Sequence, residues 1–160
     1  MQVLEPLAKL CAILAGVLLT GITLLTCGNL ITRNTTGDSM AGAFELTAMA
    51  SGAAIALFMP LCQLRQGNII VDFFTEKFSD AFNAKLDKLG SFILASVFIL
   101  LAWRTALGGL NVYDSHSETQ IMGFPEWVVY ASMVPPFVLT ALIGLYQTAF
   151  GFERASGTPA

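Results

Sequence analysis

Four long apolar runs alternate with short polar segments along this chain. A helix rises about 1.5 Å per residue, so a hydrocarbon core about 30 Å thick needs about 20 mainly apolar residues. Runs of this length occupy about residues 8–32, 40–62, 89–110 and 126–152. The pattern predicts an all-α membrane protein, with four transmembrane helices forming a single domain over residues 1–160.

The first run has an alternative interpretation as a cleaved signal peptide. It carries no charged residue from Leu10 to Thr32, which is longer than the apolar part of a signal peptide, and no A-x-A cleavage motif follows it. We therefore interpret the first run as a transmembrane helix.

A different pattern separates the second run from the third. In residues 72–88, which read DFFTEKFSDAFNAKLDK, an apolar residue recurs every fourth position from Phe74 to Leu86, and charges occupy the other directions. Such a helix has one apolar face but too many charges to cross a bilayer. The pattern predicts an amphipathic interfacial helix with Asp72 as its N-cap. A soluble helix packed on a partner is the alternative.

The basic residues predict the orientation of the chain, because cytoplasmic loops of membrane proteins are enriched in lysine and arginine. If both termini are cytoplasmic, the outer side retains only Arg33 among the basic residues of the loops. The cytoplasmic side then holds six basic residues: Lys9, Arg65, Lys77, Lys85, Lys88 and Arg154. We therefore expect the N- and C-termini in the cytoplasm.

Composition agrees with a lipid environment and excludes some partners. Hydrophobic residues make up 55% of the chain and charged residues 12%, about half of the 25% that is typical of soluble domains. The net charge is −3 and the basic residues form no run, so nucleic acid is not an expected partner. Cys11, Cys27 and Cys62 all lie in apolar runs and are interpreted as free thiols.

Two ionisable residues fall inside predicted spans, where a charge is costly unless it faces protein or water. Glu45 and Arg104 are expected at similar depths in the outer part of the bilayer, so they are predicted to form an ion pair that Arg33 shares. The alternatives are that Glu45 carries protons or ions, and that Arg104 reaches the outer headgroups. On the second span, Ala48, Gly52 and Ala56 form a small-residue face with Glu45 that suits close helix packing.

The sequence offers no recognisable catalytic or metal-binding motif. It contains no Walker loop, no G-x-G-x-x-G and no metal-spaced His/Cys cluster. Ser115, His116 and Glu118 are neighbours in a polar loop, but neighbours in sequence do not make a catalytic triad. His116 is the single histidine and lies outside the spans, which argues against a bis-histidine haem. We therefore expect no enzyme activity, no cofactor and no metal.

The order of several short motifs resembles a known family. Arg33 is followed by Glu45 and Gly52 in the second span, then by the segment QGNIIVD at residues 66–72. Trp103 comes next, and the entry to the fourth span reads TQIMGFPEWVVY, with Pro135 following. In length, span number and these motifs, the chain resembles the DctQ family, the small membrane subunit of TRAP (tripartite ATP-independent periplasmic) transporters. It departs from that family at Asn68, where histidine is common.

The resemblance implies a multi-pass protein of the bacterial inner membrane. Its partners would be a large membrane subunit, which carries the substrate and sodium sites, and a periplasmic solute-binding protein that delivers an organic acid. This chain would be a scaffold. Gly67 would permit the turn out of the second span, before Asp72 caps the interfacial helix. Three outward acidic residues would meet the binding protein: Asp114, Glu118 and Glu126.

Two other functions are compatible with the sequence. The chain could transport a solute by itself as a small dimer, although four plain spans offer little of the repeat and broken-helix structure of secondary transporters. It could also be a membrane anchor for a respiratory or signalling complex. A homodimer that moves substrate in liposomes would favour the first of these.

Overall fold

The computed structural model describes residues 4–65 and 80–150, which form four helices. They are α1 (Leu4–Thr36), α2 (Ala43–Leu64), α3 (Asp80–Asp114) and α4 (Trp127–Phe150). Each is long and apolar enough to cross a membrane. The predicted all-α membrane fold with four spans is confirmed.

The helices stand side by side in a row instead of closing into a bundle. The order across the row is α1, α2, α4, α3, because α2 packs against α1 and α4, and α4 also packs against α3. α1 touches α4 only marginally, and neither α1 nor α2 packs extensively against α3. Little of each helix is therefore covered: in its most apolar stretch only 6% of α1 is buried, against 28% of α4. Most apolar side chains are available to lipid or to another protein.

Small residues bring α3 and α4 close together. A Cβ placed on Gly144 of α4 would lie 3.0 Å from the Cβ of Ala95 on α3, and Ala95 is fully buried. Nearer the C-terminal end of α3, a Cβ placed on Gly109 would lie 2.9 Å from the Cβ of Tyr130. Between these points the rings of Phe98 and Phe137 are 5.9 Å apart. Glycine and alanine allow this backbone approach because nothing larger separates the helices.

A buried pair of amides joins α2 to α4. Gln63 Nε2 donates to Gln147 Oε1 at 2.8 Å, and Gln147 Nε2 donates to the backbone carbonyl of Gln63 at 3.0 Å. Both residues are buried, close to the ends of their helices. The two bonds fix the register of α2 against α4, because a shift by one residue would break both.

In the structure, one continuous helix runs through the boundary predicted between the interfacial helix and the third span. Residues 80–88 belong to α3 and run into the span without a break. The apolar positions of the amphipathic segment continue in phase into the span, and Gly90 alone does not end a helix. The rest of the predicted interfacial helix, with Gly67 and Asp72, lies outside the described residues.

Candidate functional site

The polar contacts between distant segments concentrate where the α3–α4 loop meets the start of α2. The carboxylate of Glu45 accepts hydrogen bonds from two backbone amides at the tip of this loop. Ile121 N lies 3.2 Å from Oε1 and 3.3 Å from Oε2, and Met122 N lies 3.3 Å from Oε2. Glu45 is in the first turn of α2, where the helix dipole also favours a negative charge. The side chain therefore ties the loop to the helix.

The loop itself is held in a tight turn by its own backbone. Thr119 N donates to the Phe124 carbonyl at 2.9 Å, and Phe124 N donates to Thr119 Oγ1 at 3.0 Å. Gly123, with φ +62°, closes the turn by donating from its N to the Thr119 carbonyl. Thr119 is buried beneath these contacts. The amides of Ile121 and Met122 are thus presented at the tip, facing Glu45.

Gly42 is required where the loop meets α2. It precedes the first residue of α2 with φ +77°, a conformation that residues with a Cβ rarely adopt. The side chain of Met122 also occupies the space that a Cβ on Gly42 would need. A larger residue at position 42 would therefore strain the turn and displace the loop tip.

The predicted ion pair between Glu45 and Arg104 is not formed, and Arg33 does not join it. Within residues 4–65 and 80–150, the ion pair in the structure is Lys9–Glu5 at 2.6 Å, and Arg33 and Arg104 are exposed. The reason is depth: α2 begins at Ala43, only two residues before Glu45, whereas Arg104 lies ten residues before the end of α3. At about 1.5 Å per residue, the two groups differ by roughly 12 Å along the helices.

The predicted small-residue face of α2 is only partly used inside the chain. Ala56 is fully buried, but Ala48 is exposed and a Cβ on Gly52 would meet no atom within 4 Å. Packing at Gly52 by another protein stays a prediction. The close approaches that the structure does contain, at Gly109 and Gly144, were not predicted from the sequence.

The three acidic residues that were predicted to face outward lie around the same loop. Asp114 is the last residue of α3 and is exposed, as is Glu118. Glu126 is half-buried, and its backbone N donates to the Ser117 carbonyl at 3.2 Å. The three residues are brought to one end of the molecule.

The neighbouring Ser115 and His116 do not form a catalytic pair. Ser115 Oγ lies 2.8 Å from Ser117 Oγ, and His116 Nδ1 lies 3.1 Å from the Asp114 carbonyl oxygen. Within residues 4–65 and 80–150, no three His, Cys, Asp or Glu side chains are grouped closely enough to hold a metal ion.

An apolar groove of about 300 Å³ opens between the C-terminal end of α3 and the N-terminal end of α4. Its walls include Gly109, Tyr113, Trp127 and Tyr130. The rings of Tyr113 and Trp127 meet edge to face, with centroids 5.7 Å apart. Tyrosine and tryptophan are enriched where a span meets the headgroups, so this ring pair indicates one boundary of the bilayer.

We expect replacement of Glu45 by alanine to release the loop tip. Two backbone amides would lose their acceptor, and hydrogen bonds to a charged group typically contribute about 1.5–3 kcal/mol. Hydrogen–deuterium exchange in detergent should become faster in residues 119–124. Glu126→Ala serves as the control, because its carboxylate accepts no such pair of bonds, and it should leave exchange in this segment unchanged. Equal exchange in wild type and Glu45→Ala would contradict this role.

Fold and site together indicate a multi-pass membrane protein, in which the loop tethered by Glu45 lies at the opposite end of the row from the start of α1 and the end of α4. A family model described as "Tripartite ATP-independent periplasmic transporters, DctQ component" matches residues 22–154. The chain therefore belongs to the DctQ family, the small membrane component of TRAP transporters, and the resemblance seen in its motifs is confirmed. Comparisons with curated proteins and with solved structures found no match.

Proposed function

We propose that this chain is a non-catalytic scaffold subunit of a TRAP transporter in the bacterial inner membrane. It would support a large membrane subunit during sodium-driven uptake of an organic acid that a periplasmic solute-binding protein delivers. The observation that carries the proposal is the open row of four helices. A row one helix thick encloses no path across the bilayer, but it offers two broad apolar faces to a partner.

The polar groups buried in the spans support a structural role. Gln63 and Gln147 bond to each other, and the hydroxyl of buried Thr140 donates to the Pro136 carbonyl at 2.7 Å. These groups stabilise contacts between and within helices. A solute site would instead require polar side chains that converge on a cavity near the bilayer midplane.

The orientation in this proposal follows from the charges of the chain ends and loops. With both termini in the cytoplasm, the loop tethered by Glu45 and the acidic residues around it face the periplasm. This places Asp114, Glu118 and Glu126 where a periplasmic binding protein could contact them. The Gln63–Gln147 pair then lies at the cytoplasmic end of the row.

Reconstitution into liposomes tests the proposal. This chain alone should give no solute flux, whereas flux should appear when the large subunit and the binding protein are added under an inward sodium gradient. The large subunit without this chain should be much less active or less stable. Solute flux through the isolated chain, or full activity of the large subunit in its absence, would refute the scaffold role.

We expect charge reversal of the outward acidic residues to impair delivery of the solute without impairing assembly. Changing Asp114 and Glu118 to lysine would oppose any basic surface on the binding protein, so the concentration of binding protein needed for half-maximal uptake should rise about tenfold. Uptake in the reconstituted system measures this. Glu5→Lys, at the other end of the molecule, is the control. Unchanged uptake kinetics would show that these residues are only solvated loop charges.

A further inference from the structure

Arg104 carries a positive charge at membrane depth with no partner in the part of the chain that the structure describes. Its side chain is exposed on α3 and makes no ion pair or hydrogen bond within the described part of the chain. It lies nine residues before Tyr113, which marks the outer boundary with Trp127. That separation is about 14 Å, or two and a half helical turns. Arginines near helix ends extend to the headgroups, but this one is deeper.

The residues around Arg104 form a regular stripe on the free side of α3. Steps of four and three residues alternate along it, which is the spacing of a helix–helix packing seam. We name it the α3 seam, and it consists of Ile93, Val97, Leu100, Arg104, Leu107 and Asn111. All six side chains are exposed. The contacts of α3 with α4 lie on another face, at Ala95 and Gly109, and α3 ends the row.

We propose that the α3 seam packs against a transmembrane helix of the large membrane subunit that carries an aspartate or glutamate opposite Arg104. This inference rests on the function proposed above. Charge complementarity selects the occupant: an arginine at this depth is stabilised by a carboxylate from a neighbouring helix. The partner's acid would also hold the two helices in one register, because no other charge lies on the seam.

Two other occupants fit the same seam less well. A second copy related by an axis along the membrane normal would set Arg104 against Arg104, and like charges at one depth repel. Among residues 4–65 and 80–150, no acid lies at that depth either, since Glu45 is close to the start of α2 and is bonded to the loop. Lipid phosphates lie at headgroup level, more than two turns from the backbone of Arg104.

The experiment compares Arg104 variants by co-purification. This chain is tagged and co-expressed with the large membrane subunit of its transporter, and the amount of large subunit recovered per tagged chain is measured. Arg104→Leu should reduce recovery about tenfold, because it leaves a carboxylate of the partner without its cation. Arg104→Lys should retain at least half. Arg33→Leu is the matched control, since Arg33 is also exposed but lies at a helix end, and it should retain full recovery.

The outcomes separate the pairing from the scaffold function. If wild type and Arg104→Leu recover the same amount of large subunit, the ion pair is refuted and Arg104 interacts with the lipid headgroups instead. If wild type recovers none, the proposed function itself fails.

If the Arg104→Leu protein does not accumulate, cysteine cross-linking with Arg104 intact tests whether the α3 seam contacts the large subunit. In a chain without Cys11, Cys27 and Cys62, Leu107→Cys should cross-link to the large subunit. Cross-linking from Ile13→Cys on α1 instead would overturn the assignment to α3.

Discussion

Replacing Gly144 with leucine should separate α3 from α4 and destabilise the isolated chain more than most single changes in its spans. Even the Cβ would lie 3.0 Å from the Cβ of Ala95, and 3.4 Å from the backbone oxygen of Ser91. The Cβ of Ala95 and the backbone oxygen of Ser91 are both held in place by the backbone of α3, so neither atom can rotate away. Overpacking of this kind typically costs about 1–3 kcal/mol. The midpoint of thermal unfolding in detergent should fall accordingly.

Gly52 provides the matched control for Gly144. It is also a helical glycine within a span, but a Cβ there would meet nothing within 4 Å. Gly52→Leu should therefore leave the unfolding midpoint of the isolated chain almost unchanged. If both variants unfolded at the same temperature as wild type, the close contact between α3 and α4 would not exist in solution. If Gly52→Leu alone weakened binding of the large subunit, the face containing Gly52 would be part of that interface.

Replacing Gln147 with leucine should loosen α2 from α4. The change removes both reciprocal bonds, so Gln63 loses its acceptor on Oε1 of Gln147 and its carbonyl loses the Nε2 donor. A buried polar group deprived of its partner costs about 1–3 kcal/mol. Thermal unfolding in detergent measures the loss. Gln120→Leu is the control, because Gln120 is an exposed glutamine of the loop, and it should have little effect.

The double variant Gln63→Leu/Gln147→Leu distinguishes a hydrogen-bonded pair from a simple loss of packing. Replacing both glutamines by leucine removes both buried side-chain amides, so that only the backbone carbonyl of Gln63 still lacks the donor that Gln147 supplied. We therefore expect the double variant to recover a large part of the stability lost in Gln147→Leu. Additive destabilisation by the two single changes would show that the amides act independently.

The four spans could be predicted from the sequence because the need to bury about 20 apolar residues in hydrocarbon acts on each segment separately. The order of the helices across the row, α1, α2, α4, α3, could not be predicted from the sequence. Which helices are neighbours in the row depends on close contacts such as that of Gly144 with Ala95. Small residues occur on several faces of these helices. Hydropathy does not distinguish a glycine that faces a helix from a glycine that faces lipid.

The candidate site was only half predictable for a related reason. Glu45 was recognised because a charge in an apolar run is conspicuous, but its partners are backbone amides, which every residue carries. Their positions depend on the turn between Thr119 and Phe124, and the hydropathy pattern does not encode that turn. A shift of a few residues in the ends of α2 and α3 moves a charge by about 5 Å, enough to make a false ion pair look plausible. Gln63 and Gln147 did leave a signal, since polar side chains within a span usually face protein or water.

The length of α3 has a consequence for the inner surface of the membrane. Its 35 residues extend about 52 Å, roughly 20 Å more than the hydrocarbon they cross. The outer end is fixed near the aromatic pair of Tyr113 and Trp127, so in the proposed orientation the surplus emerges on the cytoplasmic side. These extra turns place Lys88 at the level of the acidic phospholipid headgroups, and lysines there are attracted to the negatively charged leaflet surface. A thinner bilayer would expose more of this helix, and a thicker one would cover it.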